Sequence, residues 1–145
     1  KLNEIVLWKV NRYAQFDDNL INMINSINKN DKEINLDKTK TILYELLKTN
    51  GVQLAMASTI LRFRNPNIYQ IIDQRVYRLI YKNKILKINT YPSKKNIDYQ
   101  IELYMKYLTD LKNICNDFKV PFKYSDRILY NVDKRINKKI KLINY

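Results

Sequence analysis

Glycine occurs once in this chain of 145 residues, at Gly51, and proline only three times. Sharp bends and helix breaks draw on those two residues, so their scarcity predicts long helices joined by few tight turns. The apolar pattern agrees. Between residues 94 and 118 the set Ile97, Ile101, Tyr104, Leu108, Leu111, Cys115 and Phe118 recurs in alternating steps of four and three. That rhythm marks one helix face turned toward a core, with Ser93 as the residue that starts it.

Shorter helices are predicted on the same grounds. The first covers 2–14. A second follows Asp17 or Asp18 as N-cap, with Leu20, Ile24 and Ile27 inward. Asp37 is expected to cap a helix over 38–49, whose stripe is Ile42, Leu43, Leu46 and Leu47. Another runs over 53–64, and Asp73 opens one over roughly 74–83. Ser125 or Asp126 caps the last, with Ile128, Leu129, Val132 and Ile136 inward. Residues 84–92 fit a short strand or a packed loop. The expected fold class is all-α: one compact helical bundle over 1–145, containing a helix–hairpin–helix.

Composition removes several kinds of chemistry. With no histidine and a single cysteine, Cys115, there is no usual zinc site, no iron–sulfur cluster and no histidine triad. No metal and no cofactor is therefore expected, and catalysis would fall to carboxylate, lysine or tyrosine. A lone cysteine forms no internal disulfide and fits a reducing compartment. No apolar run approaches the roughly 18 residues of a membrane span, and no signal peptide is visible. The expected location is cytoplasmic, nucleoid-associated in a bacterium, with no membrane partner.

The net charge of +13 is unevenly spread. Residues 1–50 are close to balance, whereas from Arg62 to Lys95 nine cations surround one acid, Asp73. From Lys119 onward eight cations face two acids. A folded face with that asymmetry attracts polyanions in a salt-dependent way, and double-stranded DNA is the expected partner.

The hairpin over 38–64 gives the charge a centre. A helix that restarts near Gln53 after the bend at Gly51 leaves unpaired N–H groups at the positive end of its dipole, sized for one phosphate. Asn50, Gly51, Val52 and Gln53 form that seat. Ala55, Ala57 and Ser58 are small and let the two helices approach, and Arg62, Arg64 and Arg75 can reach flanking phosphates. Asp73, reached through the segment 65–83, fits two roles at once. It can cap its helix, and as an ionised carboxylate flanked by Arg75 and Arg78 it can stabilise a cationic sugar or orient a water. The same stretch also fits an ordinary turn in a helical bundle.

These residues resemble a known family. The run Asn50-Gly51-Val52, then Met56-Ala57-Ser58 and Ile60-Leu61, then Pro66, then Ile71-Ile72-Asp73 with Arg75-Val76, is similar to the signature of the helix–hairpin–helix base-excision DNA glycosylase superfamily. The final segment Asp126–Tyr130 with Asp133-Lys134 is similar to the C-terminal helix of small bacterial proteins related to it. The resemblance implies an all-helical fold, DNA bound through the hairpin, and a damaged or modified base extruded into a pocket. By it, Asp73 matches the superfamily's essential aspartate.

Three departures qualify the match. Gln53 stands where a second glycine is usual. Leu54 and Ala55 occupy the region where strand-nicking members carry a lysine, which leaves a monofunctional hydrolase. Fewer residues precede the hairpin than the superfamily's helical barrel uses. For a base pocket, Trp8, Arg12, Tyr69 and Tyr77 supply aromatic walls and a polar reader, with Tyr13 and Gln70 beside them. A DNA-binding module without chemistry, and a helical protein-interaction domain, remain the alternatives.

Overall fold

The computed structural model describes residues 14–143. Within them the chain is all-α, as the glycine scarcity predicts. Six helices form: α1 Asp18–Asn25, α2 Leu36–Lys48, α3 Leu54–Arg64, α4 Gln74–Ile80, α5 Lys94–Asp117 and α6 Ser125–Ile136. A single 3₁₀ turn at Phe122–Tyr124 leads into α6. The helix expected over 2–14, and with it Trp8, Arg12 and Tyr13, lies outside the described residues.

Helix starts follow side-chain chemistry. Asp17 caps α1 by accepting the Leu20 amide at 2.7 Å, and Ser93 caps α5 through Asn96. The start of α2 corrects the expectation of Asp37: Asn35 Oδ1 takes the Lys38 amide at 3.0 Å. The helix therefore opens two residues early and places Asp37 inside its first turn, where a negative charge meets the positive helix end.

The core gathers around α3. Seven of its eleven residues are buried, from Leu54 to Leu61 with Ala55 alone excepted. It packs on α1 and α2; α5 lies against α2 and α4, and α6 against α4. The inward face of α5 is as expected from Ile97 to Cys115, but Phe118 is 76% exposed. It sits at the helix C-cap, where Val120 N–H returns to Cys115 C=O and Lys119 takes a left-handed φ of 55°. The chain turns away there and carries the phenyl ring outward.

The largest departure is the face of α6. Its buried residues are Ser125, Leu129 and Asp133, one turn apart, while Ile128 is 37% and Ile136 70% exposed. The expected apolar set Ile128, Leu129, Val132 and Ile136 is rotated off the core, and Leu129 alone of it is fully buried. The reason is ionic. Arg78 on α4 is buried and donates to both Asp133 oxygens at 2.8 Å, with a third bond to Ile140 C=O at 3.0 Å. A buried guanidinium without a carboxylate costs several kcal/mol, so α6 turns to supply one. Neither Ser125 nor Asp126 caps α6 as expected; Ser125 Oγ instead donates back to Phe122 C=O.

Residues 84–92 form a packed loop anchored by Leu86. The connector turns at 66–68 and is irregular over 69–72, where side chains satisfy its backbone. Tyr104 and Tyr107 hydroxyls donate to Gln70 and Ile71 carbonyls at 2.8 and 2.9 Å, and the Ile72 amide donates to Ser58 Oγ at 3.2 Å. Those bonds fix where Asp73 stands.

Candidate nucleic-acid interface

The link between α2 and α3 is a β-turn. Val52 N–H donates to Thr49 C=O at 3.1 Å, and Gly51 sits third in the turn with φ 83°. A side chain at that φ would cost about 1–2 kcal/mol, which is why the one glycine stands here. Extended Thr49 is the C-cap of α2, so the glycine serves the turn and not the helix end itself. Val52 and Leu54 are buried and anchor the turn, whereas Asn50, Gln53 and Ala55 face outward.

The start of α3 differs from those of α1, α2, α4 and α5. Gln53 is its N-cap residue, and its side chain makes no capping hydrogen bond. The amides of the first turn thus have no cap from that residue and can meet water or an anion.

Asp73 caps α4. Its Oδ1 accepts from Arg75 N–H at 2.8 Å and Val76 N–H at 3.3 Å, so Oδ2 takes no part in the cap. The carboxylate is half-buried. The Ile72–Ser58 bond sets its place along α3, since Ser58 is one turn beyond Leu54, roughly 6 Å of helix rise. The bond ties the residue before Asp73 to the middle of α3, between the Gly51 turn and the Arg62–Arg64 end.

Arg62, Arg64, Arg75 and Arg78 each have partners within the protein. Arg62 Nε lies 2.9 Å from Asp126 Oδ2, and Arg64 Nη2 donates to Asn25 C=O at 3.0 Å, closing the end of α1. Both sit at the far end of α3, roughly 12–15 Å of helix rise from Leu54. Arg75 and Arg78, expected beside Asp73, direct their guanidinium groups to Asp133, at 3.4 and 2.8 Å. Arg75 also lies over the Tyr130 ring, 5.4 Å from its centroid. Burial alone would raise the Asp133 carboxyl; hydrogen bonds from Arg78 and Asn137 hold it below the usual carboxylate range.

Of the expected pocket residues, Tyr69 is buried with its hydroxyl 2.6 Å from Thr39 Oγ1, which makes it core. Tyr77 packs into a ring stack, 4.4 Å from Tyr81 and 6.4 Å from Tyr107. Gln70 is buried too, its Nε2 donating to Pro66 C=O. The structure does not gather these side chains around Asp73. Among the described residues, Asp73 lines none of four clefts of 340–500 Å³.

Sequence reasoning missed the role of Asp133. Its signal was positional: it falls one turn after Leu129 and two after Ser125, on the inward stripe. It also missed a consequence for charge. All eight cations from Lys119 to Lys141 are exposed, while Asp133 is buried and Asp126 partly covered. Arginines from α3 and α4 draw Asp133 fully and Asp126 partly inward, which leaves the exposed charge of that stretch mostly cationic.

No protein-family model, no curated protein and no solved structure matches this chain. The function must be read from its own residues. Among the described residues no group of histidine, cysteine, aspartate or glutamate can hold a metal ion, and no helix is long and apolar enough to cross a membrane.

Proposed function

We propose that the chain binds double-stranded DNA through the turn at Asn50–Gln53 and hydrolyses an N-glycosidic bond of a damaged or modified base, with Asp73 as the working carboxylate. The observation that supports this reading is the Ile72–Ser58 hydrogen bond, which ties the residue before Asp73 to α3, the helix whose first-turn amides have no side-chain cap from Gln53. A phosphate at those amides brings the sugar of a neighbouring nucleotide toward Asp73. As the C1′–N bond breaks, the base keeps the electron pair and the sugar becomes cationic. The ionised carboxylate stabilises that charge; water oxygen bonds to C1′, and the proton it loses ends on the departed base, which leaves neutral. The absence of a lysine at Leu54 and Ala55 supports hydrolysis without strand cleavage.

The test is release of free base from duplexes carrying a panel of lesions. Asp73→Asn is the informative variant, because asparagine also caps helices and keeps α4 intact while the charge is lost. Release slowed at least about 100-fold with unchanged DNA affinity supports the reading. Equal rates for both proteins on a cleaved substrate would sink it.

A second reading, DNA binding without chemistry, is favoured by one observation: Tyr69 is committed to the core and Tyr77 to a tyrosine cluster, so neither forms a base pocket at Asp73. It predicts duplex binding with a steep salt dependence and no base released from any lesion.

A further inference from the structure

At the other end of α3, away from the Gly51 turn, a cleft of about 450 Å³ is lined by Arg62, Pro66, Lys123, Tyr124, Asp126 and Arg127. We infer that this cleft binds a nucleoside monophosphate unit, its phosphate between Arg62, Lys123 and Arg127 and its base against Tyr124. The inference stands apart from the hairpin reading, since it uses none of the residues of the turn.

Charge sets the ligand class. Three cations less one carboxylate leave the lining at +2. A phosphate monoester carries about −1.5 to −2 at neutral pH and matches that, whereas an internal phosphodiester carries one negative charge. Size agrees, because about 450 Å³ falls within the range of small-molecule sites and is far too small for a duplex.

Arg62 is the group held ready. Both hydrogen bonds from its Nη2, to Lys123 C=O and Asp126 Oδ1, are stretched to 3.4 Å. Its Nε is buried without a hydrogen bond, since Asp126 Oδ2, although 2.9 Å away, is not aligned to accept one. Arg78, by contrast, makes three short bonds at 2.8, 2.8 and 3.0 Å. Charge-assisted bonds normally reach about 2.7–2.9 Å, so Arg62 has donor capacity that its present partners do not use. Phosphate oxygens in the cleft supply better acceptors for Nη2 than its two bonds of 3.4 Å. Tyr124 is 52% exposed, with Lys123 Nζ 5.7 Å from its ring centroid, which presents an aromatic surface and a cation together. That pairing takes a base by stacking without reading its identity.

The experiment is calorimetric titration of the full chain with adenosine 5′-monophosphate, with adenosine alone, and with a trinucleotide bearing a 5′-phosphate or a 5′-hydroxyl. Saturable binding is expected for the phosphorylated ligands, at least tenfold tighter than for their unphosphorylated counterparts. Arg127→Ala should weaken it at least fivefold with an unchanged melting temperature, because Arg127 is exposed. Tyr124→Ala should weaken the nucleotide while leaving inorganic phosphate unaffected. Tighter binding of the free nucleotide assigns the site to a soluble ligand, and tighter binding of the trinucleotide assigns it to a strand end. Two results overturn the inference: equal affinity with and without phosphate, or an Arg127→Ala titration identical to the parent. An exchange of Gln53 for alanine leaves nucleotide binding intact here, so a failure of this site and a failure of the hairpin reading are told apart.

Discussion

Asp133 shows how one side chain orients a helix. It is fully buried, takes both oxygens to Arg78, and accepts Asn137 Nδ2 at 2.7 Å. Removing one partner of such a pair leaves an uncompensated buried charge, so Asp133→Ala should cost about 3–5 kcal/mol. Chemical denaturation checks this, and a loss below 1 kcal/mol would mean that Arg78 finds another acceptor. Ser58 acts on a smaller scale. Its hydroxyl is the acceptor for the Ile72 amide, and Ser58→Ala should destabilise by about 1–3 kcal/mol by leaving that amide buried and unpaired. In both cases the partner is distant in sequence. That is why the arginines were misread: Arg75 and Arg78 are close to Asp73 in the chain, yet their guanidinium groups point to a residue on α6.

The elements were legible in proportion to how one-sided their burial is. The face of α5 was visible because almost every inward position is apolar. That of α6 was hidden because its inward stripe includes Ser125 and Asp133, which a hydrophobic pattern assigns to solvent. Helix ends carry a related cost in a chain with one glycine. Lys119 closes α5 in a left-handed conformation at φ 55°, and Lys82 and Asn83 follow α4 at 52° and 65°. Glycine removes the penalty at such a site but loses more entropy on folding, so Lys119→Gly should stabilise by about 0.5–1 kcal/mol. That corresponds to a melting temperature raised by roughly 2–4 °C. Scanning calorimetry checks it, and an unchanged or lower value would show that the cap is unstrained.

For the molecule as a whole, the tyrosines link fold to pH. Burial raises the hydroxyls of Tyr69, Tyr104 and Tyr107 above their ordinary value near 10. The folded state thus keeps protons that the unfolded state releases. The stability these groups contribute is complete below about pH 10 and is lost as pH rises above it. Cooperative alkaline unfolding, with phenolate absorbance appearing in the same transition, is expected; phenolate forming in a chain that keeps its helical circular dichroism would contradict it. Tyr104 and Tyr107 also hold the connector that carries Asp73, so loss of that positioning should accompany the transition.

The central claim is that the uncapped start of α3 receives a phosphate next to Asp73. Amide chemical-shift mapping during titration with a short duplex tests it most directly. The account predicts the largest shifts at Asn50–Met56 and at Asp73–Val76. Shifts confined to the cationic stretch from Lys119 to Lys141, with the turn silent, would contradict it.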